Sequence, residues 1–452
     1  MKKRTTLDLT EGPILRKLLM FALPLMLNSV IESLYSTADT VMMGRFAGTA
    51  AMAAVGASGQ PLNLLVTLFA GIALGVNVTC GNLRGARKHA ELRQCMYSSI
   101  LTGFFAGCFV LLAGLSLCRP MLVAMDTPKQ ILGDAVLYMN IRLSAGPYWL
   151  LAAFCNNIFY AHGDTRTPTV ISLLSGLVNV GLNAVFILCF GMGVDGVAWA
   201  TNASLIIKAV VLVALLFAPQ GAYRLRFSEL RIRKAHVQRI MAVGIPAGLN
   251  SIVFSVSNVL LQSAVNSFGT LVVAANTAAD NLGSYVSLIT NAFVSAVLSG
   301  ASQCYGAGKY KRIDQLMVKA LIGSVSMVAA AASLITLFSR PLMLLFDSDP
   351  NVASAGMPKL MILCWGYIIF SVTQVYASGL KGIRKATPAL LCTLGGVVVP
   401  RLLWVWLVIP QMHTPAMLYM IYPISWAISA VVVIVVYFRY RRKLKEPLHA
   451  AG

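Results

Sequence analysis

The chain has 452 residues, of which 58% are hydrophobic and 11% are charged. Because soluble domains carry about 25% charged residues, this composition excludes an ordinary soluble protein. The net charge of +21 is spread over loops between apolar runs, which argues against nucleic acid as a partner. Many of these runs are long enough for a helix to cross a bilayer. We therefore predict an all-α polytopic membrane protein whose twelve transmembrane helices cover roughly residues 15–43, 51–81, 94–117, 131–161, 168–190, 194–218, 239–266, 271–303, 316–338, 354–380, 387–409 and 415–438.

The basic residues alternate in density along the chain. Of the 36 Lys and Arg residues, 28 fall in the two termini and every second loop, whereas five, including Arg45 and Lys359, fall in the opposite loops. The other three, Arg142, Lys208 and Arg401, lie within predicted spans. Since basic residues accumulate on the cytoplasmic side of membrane proteins, we predict that both termini are cytoplasmic and that the protein lies in the plasma (inner) membrane.

The sequence lacks the motifs of metal sites, nucleotide sites and common enzymes. Its nine cysteines stand singly without a CxxC pair, and its five histidines fall in loops or at the C-terminus. It contains neither an HExxH pattern nor a P-loop. We expect no cofactor, no metal ion and no enzymatic activity.

The second half of the sequence resembles the first at a shift of about 221 residues. LPLMLNS at 23–29 aligns with IPAGLNS at 245–251, and GNLRGARKHAELRQ at 81–94 aligns with SQCYGAGKYKRIDQ at 302–315. Six spans per repeat is an even number, so both halves begin on the same side of the membrane. Parallel repeats of this kind are related by a pseudo-two-fold axis along the membrane normal and occur in transporters.

This repeat predicts the domain organisation. The N-lobe comprises residues 1–218 with spans one to six, and the C-lobe comprises residues 239–452 with spans seven to twelve and a basic C-terminal tail. Residues 219–238 form a cytoplasmic linker between the two six-helix lobes. The basic stretch at 223–239 predicts an amphipathic surface helix.

Two acids interrupt the apolar pattern of the first span. Glu32 and Asp39 lie on one helical face with Tyr35, because intervals of three and four residues repeat the helical turn. A carboxylate in hydrocarbon is costly, so it generally faces a wet cavity or an ion path. Neither acid recurs in the second repeat, where the aligned residues are Phe254 and Leu261. These acids therefore look like additions to a shared scaffold.

Two interpretations of these acids stay open. Asp39 and Glu32 can bind an ion or a ligand in a cavity, or they can form neutralising pairs with Lys208 or Arg142. Polar stripes also follow the fifth span and, around Asp280, the eighth span. Serine and asparagine side chains in membrane helices can also serve only to join helices by hydrogen bonds.

The chain resembles the multidrug and toxic compound extrusion (MATE) family in four stretches. These are LTEGPILRKLLMFALPLMLNSVIESLYSTADTVMMGRFAGTAAMAAVGAS at 9–58, GDTRTPTVISLLSGLVNVGLNAVFIL at 163–188, GVDGVAWAT at 193–201 and QCYGAGKYKRID at 303–314. The resemblance implies two six-helix lobes that extrude amphipathic, often cationic small molecules in exchange for H⁺ or Na⁺. We expect the protein to work as a monomer in the lipid bilayer.

The resemblance also implies roles for individual residues. The first-helix aspartate that couples transport in the most similar branch matches Asp39, and the fifth-helix asparagine matches Asn179. A polar residue seven positions before the aspartate falls on Glu32. The other cavity residues that we predict are Tyr35, Thr201, Asn156 or Asn157 for the fourth-helix amide, and Asp280.

Two departures from the family's pattern change the expected ion site. The second N-lobe aspartate of the family is Asn183 here, so the predicted ion-coupling residues are Asp39, Asn179 and Asn183 with one carboxylate among them. We expect this to favour H⁺ over Na⁺. Spans seven and ten, which hold acids in another branch, contain none here. A C-lobe cation site of that type is therefore not expected.

Other membrane functions remain as alternatives. A lipid-linked precursor flippase has a similar helical scaffold, but we expect it to need a strongly cationic cavity for pyrophosphate. The three basic residues within the predicted spans are scattered. A passive channel has no need of an acid that is confined to one lobe. The leading prediction is a cation-coupled antiporter.

Overall fold

The computed structural model describes residues 6–42, 49–125, 127–218, 223, 225–344, 350–412 and 414–444. Arg45 and part of the predicted linker lie outside these ranges. The helices are α1 (Ile14–Met42), α2 (Thr49–Gly85), α3 (His89–Ala124), α4 (Lys129–Ser144), α5 (Gly146–Ala161), α6 (Arg166–Ala184), α7 (Val194–Phe217), α8 (Lys234–Asn266), α9 (Thr270–Gly306), α10 (Tyr310–Leu337), α11 (Ser339–Leu344), α12 (Pro350–Gly382), α13 (Ala386–Thr393), α14 (Val399–Leu403) and α15 (Pro415–Lys443).

Eleven helical stretches of the described chain are long and apolar enough to cross a membrane. The predicted span at 131–161 is divided into two helices of 16 residues each, α4 and α5, which meet at Ala145. Pro147 explains the division, because a proline near the start of a helix has no backbone N–H to continue the preceding hydrogen-bond ladder. The all-α fold class is confirmed, and the chain is a multi-pass membrane protein.

The helix bounds follow the repeat seen in the sequence. α2 ends at Gly85 and α9 ends at Gly306, which is 221 residues later. The loop after α2 carries Arg87 with a φ angle of 56°, and the equivalent Gly308 has a φ angle of 68°. Glycine adopts this left-handed conformation without the steric penalty of a Cβ atom. The same turn is therefore built twice, once with an arginine and once with a glycine.

The described chain forms two compact units. In both α1 and α8 the division between units falls two residues after a proline, Pro24 in α1 and Pro246 in α8. The first unit comprises Met1–Asp8 and Leu27–Gly248, and the second comprises Leu9–Met26 and Leu249–Gly452. The predicted lobe limits at 218 and 239 stay a prediction.

In the first unit, α5 packs against α2, α3 and α7, and α6 packs against α7. The first half of α8 crosses α2 at a pair of glycines. A Cβ atom on Gly71 would lie 2.2 Å from the Cα atom of Gly248, so neither position has room for a side chain. In the second unit, α12 packs against α9, α10 and α15.

The predicted surface helix at 223–239 is wrong. The described part of this stretch contains one 3₁₀ turn, Phe227–Glu229, and extended residues before α8 begins at Lys234. Side chains of α3 bind its backbone instead: the N–H of Arg226 donates to Tyr97 Oη at 2.7 Å, and the N–H of Arg233 donates to Ser98 Oγ at 3.1 Å. These bonds replace the hydrogen bonds that a helix would supply.

Candidate functional site

A cavity of about 500 Å³ lies within the first unit. Its walls come from α1, α4, α5, α6 and α7. Six of the nine predicted site residues line it, namely Glu32, Tyr35, Asp39, Asn156, Asn179 and Thr201. The sequence reasoning missed three further large lining residues as cavity residues, namely Tyr138, Arg142 and Trp149. Of these, only Arg142 carried a signal, as a charge within a predicted span.

Asp39 is held by an amide and not by a salt bridge. Its Oδ1 atom accepts a hydrogen bond of 2.5 Å from Asn183 Nδ2. Asn183 is fully buried on α6, and its own Oδ1 atom has no hydrogen-bond partner in the described part of the chain. Arg142 is close enough to attract Asp39 electrostatically. No ion pair found among the described residues includes Asp39.

Glu32 forms an ion pair across the same cavity. Its Oε1 atom lies 3.1 Å from Lys208 Nζ, and the two side chains are 52% and 12% exposed respectively. The two acids on this face of α1 therefore differ in chemistry. Glu32 has a cationic partner, whereas the negative charge of Asp39 is met mainly by an amide.

Tyr35 is positioned by a glycine that the sequence analysis did not single out. Its Oη atom donates a 2.9 Å hydrogen bond to the carbonyl oxygen of Leu173 on α6. The ring covers Gly176, where a Cβ atom would lie 1.6 Å from Tyr35 Cε2. The available signal was a missing side chain within the polar stripe of α6, four residues after Ser172.

A short network joins α6 to α7 at the cavity wall. Asn179 Nδ2 donates to Thr201 Oγ1 at 3.3 Å, and Thr201 in turn donates to the carbonyl oxygen of Val197 at 2.8 Å. Ser175 Oγ donates to the carbonyl oxygen of Ser204 at 2.6 Å. These contacts make the stripe partly a joint between helices, as the bland interpretation of such stripes expects.

The structure separates the two candidates for the fourth-helix amide. Asn156 lines the cavity, and its buried Oδ1 atom has no hydrogen-bond partner within the described ranges. Asn157 is absent from the lining and donates from Nδ2 to the carbonyl oxygen of Ala153 at 2.9 Å. Consecutive helical residues point about 100° apart, so only one of the two can face the cavity.

Asp280 lies elsewhere, in a second cavity of about 430 Å³ within the second unit. Its Oδ1 atom lies 2.5 Å from Lys359 Nζ. Our placement of Lys359 in an external loop is wrong, because the residue lies inside α12 and is 0% exposed. A lysine is buried to this degree only when an acid or other acceptors compensate its charge, and Asp280 provides the acid.

Comparisons with known proteins agree with these observations. The MatE family model matches residues 24–185 and 246–406, and the model of the lipid II flippase MurJ matches residues 146–266. The probable multidrug resistance protein YoeA of Bacillus subtilis is 26% identical over 408 residues, which cover 86% of this chain and 87% of that protein. The probable multidrug resistance protein NorM of Thermotoga maritima is 25% identical over 399 residues, which cover 87% and 85%. A solved MOP superfamily transporter from Pyrococcus furiosus has a similar fold, with a TM-score of 0.90, 19% identity and coverage of 98% and 100%.

Proposed function

This chain belongs to the MatE family, and we propose that it is an H⁺-coupled antiporter that extrudes amphipathic or cationic small molecules by alternating access. Its relatives include multidrug resistance proteins, so the chain is a transporter and not an enzyme. We further propose that it works as a monomer in the inner membrane with both termini in the cytoplasm. The alternation in basic loop residues supports this orientation.

The contact between Asp39 and Asn183 carries the proposal. An amide can serve both charge states of a carboxyl group, since it has N–H donors and a carbonyl acceptor. Asn183 donates to Asp39 Oδ1, and its own carbonyl oxygen is buried with no partner in the described structure. That oxygen can accept the O–H of a protonated Asp39. Asn183 thus holds Asp39 in place while the proton is gained and lost.

The charges around the cavity give protonation its effect on substrate. Lys208 neutralises Glu32, and Arg142 donates from Nη1 to Asn202 Oδ1 at 3.1 Å. Ionised Asp39 brings the sum of these four charges to zero, and protonated Asp39 leaves an excess of one positive charge. A cationic substrate is then repelled, so proton binding and substrate release are linked.

A single carboxylate favours H⁺ over Na⁺. A dehydrated Na⁺ ion is better held by the two acids of the family's pattern, whereas one acid suffices for a proton. Asn183 stands where the second acid would be, and Glu32 is engaged with Lys208. Asn183 and Asn179 supply neutral contacts only.

The flippase remains the second candidate because MurJ matches residues 146–266. A pyrophosphate group needs an excess of positive charge in its binding cavity. The cavity of the first unit instead carries two acids against two bases. This balance supports the antiporter over the flippase.

The test is transport by the purified protein in liposomes, with a pH gradient and a Na⁺ gradient imposed separately. We expect the pH gradient alone to drive efflux of a lipophilic cation and Asp39→Asn to abolish it, with the elution volume and melting temperature unchanged. Asp134→Asn is the matched control, because Asp134 is an exposed acid of α4 outside the cavity. Normal coupled transport by Asp39→Asn, or efflux driven by Na⁺ at fixed pH, would refute the assignment.

A further inference from the structure

The proposed coupling mechanism does not use the cavity of the second unit. At about 430 Å³, its volume falls within the range of small-molecule pockets, about 300–1,000 Å³. Four amide side chains and one carboxylate, Asp280, supply most of its polar lining. Its aromatic lining residues are Phe254, Tyr367, Phe370, Tyr422 and Trp426.

The aromatic side chains form one continuous wall. The ring of Trp426 lies 5.4 Å from the ring of Tyr367 and 5.0 Å from the ring of Phe370, measured between centroids. Aromatic pairs at such distances favour offset or edge-on contact with a further ring. The wall therefore suits a flat aromatic ligand.

The one acid of this cavity is already neutralised. Asp280 Oδ1 lies 2.5 Å from Lys359 Nζ, and Lys359 is 0% exposed. The lysine also lies 5.6 Å from the centroid of the Tyr419 ring and 5.8 Å from that of the Tyr422 ring. Asp280 and Lys359 together contribute no net charge to the cavity.

A second buried cation lies behind the wall. Arg401 of α14 is 2% exposed, and its guanidinium carbon lies 5.3 Å from the Phe254 ring centroid and 4.9 Å from the Tyr422 ring centroid. Its Nη1 atom donates to Asn258 Oδ1 at 2.8 Å. Asn258, Phe254 and Tyr422 all line the cavity.

No described acid compensates the charge of Arg401. Its hydrogen-bond partners, Asn258, Ser257 and Ser425, are all neutral. Its Nη2 atom is buried and has no hydrogen-bond partner within the described chain. Arginine stays protonated in proteins, and an isolated buried charge is costly unless something pairs with it. The side chains around this cavity therefore leave one positive charge unanswered.

We propose that the cavity of the second unit is a binding site for an aromatic anion, whose ring packs on the wall at Trp426 and whose negative charge compensates Arg401. This site is separate from the cavity of the first unit and does not depend on how that cavity is coupled. A lipophilic cation is the competing occupant. It fits less well, because Asp280 is engaged with Lys359 and because Arg401 already lies over Phe254 and Tyr422.

The test compares two probes that share a ring and differ in charge, naphthalene-2-sulfonate and naphthalen-2-yl-trimethylammonium. Binding is measured by titration calorimetry on the purified protein in lipid nanodiscs, without any gradient, and empty nanodiscs correct for partitioning into lipid. We expect the sulfonate to bind at least tenfold more tightly than the ammonium, which corresponds to about 1.4 kcal/mol. Equal affinity, or tighter binding of the ammonium, would overturn the proposal.

Two variants locate the charge that the anion uses. Asn258→Asp has nearly the same shape and places a carboxylate on Arg401, so we expect it to weaken sulfonate binding about tenfold or more. Arg401→Met should do the same by removing the cation. The double variant Asp280→Asn with Lys359→Met keeps the net charge, and we expect its affinity to stay within about twofold of the unmodified protein. Undiminished sulfonate binding by a folded Asn258→Asp protein would show that Arg401 does not recognise the anion.

Because no gradient is applied, these outcomes stand apart from those of the transport assay. A protein that exchanges H⁺ for a lipophilic cation and shows no preference for the sulfonate would keep the proposed function and lose this site. A protein that binds the sulfonate and fails to couple transport to H⁺ would do the opposite.

Discussion

The ion pair between Glu32 and Lys208 gives the sharpest test of how the cavity of the first unit is stabilised. We consider Glu32→Gln, Lys208→Met and the two together. Glu32→Gln leaves a cation that is 12% exposed without its partner, whereas Lys208→Met leaves an anion that is 52% exposed. A buried unpaired charge costs more than an exposed one. We therefore expect Glu32→Gln to destabilise the protein more than Lys208→Met.

The distance and the exposure set the magnitude. At the observed 3.1 Å between Lys208 Nζ and Glu32 Oε1, Coulomb's law gives about 1.3 kcal/mol in water and about 5 kcal/mol at an effective dielectric constant of about 20. Because Glu32 is half-exposed, we place the coupling near the lower limit, at about 1–2 kcal/mol. We expect single losses in the free energy of unfolding of about 2–3 kcal/mol for Glu32→Gln and about 1 kcal/mol for Lys208→Met. The double variant should lose about 1–2 kcal/mol less than the sum.

The assay is unfolding in mixed micelles by titration with SDS, followed by circular dichroism. The matched control is the pair of Glu11 and Lys309, which has the same 3.1 Å distance between Lys309 Nζ and Glu11 Oε1 but side chains that are 56% and 42% exposed. A pair exposed to this degree should give a coupling below about 1 kcal/mol. Losses at Glu32 and Lys208 that simply add, or a larger loss for Lys208→Met than for Glu32→Gln, would refute the reasoning. Additive losses would also release Glu32 for a role in ligand binding.

Three other variants and probes test separate features. Gly176→Ala should displace the Tyr35 ring at a cost of about 1–3 kcal/mol and lower transport of cations, whereas Gly181→Ala on the same helix has open space around it and should do neither; unchanged transport by a folded Gly176→Ala protein would contradict the role of Tyr35. Asn183→Asp adds the second carboxylate of the family's pattern, so efflux should gain a dependence on Na⁺, and transport that stays insensitive to Na⁺ would count against the single-carboxylate argument. Cysteines placed at 219–239 in a cysteine-free background should escape impermeant reagents added outside intact cells, and labelling from outside would reverse the proposed topology.

The sequence predicted the spans well because the bilayer limits what a chain can do. A helix that crosses hydrocarbon must be long, apolar and internally hydrogen-bonded, and that requirement is visible in one dimension. The break at Ala145 was less visible, although Pro147 signals it. The predicted helix at 223–239 failed for a different reason: its backbone is held by Tyr97 and Ser98, which are more than 120 residues away in the chain. No local pattern contains that information.

The candidate site divides in the same way. Spacing alone placed Glu32 and Asp39 on one face of α1, and the structure puts both at one cavity. Spacing could not show that Gly176 makes room for Tyr35, because a missing side chain acquires meaning only when its neighbour is known. Nor could it place Lys359, since an isolated lysine near the predicted end of a span reads as a loop residue until its acid is found.

The repeat sharpens the contrast between the two cavities. The backbone recurs closely, yet the charges do not: Glu32 aligns with Phe254, and Tyr138 lies 221 residues before Lys359. Each of these four residues lines a cavity or pairs with an acid that does. A duplicated scaffold fixes where a cavity can form, because helix packing follows the shared pattern of apolar residues. It leaves the sign of the charge in each cavity free to differ. One balanced cavity and one with an unanswered cation can therefore coexist in a single chain, and the ligand that each binds follows from side chains that the repeat does not share.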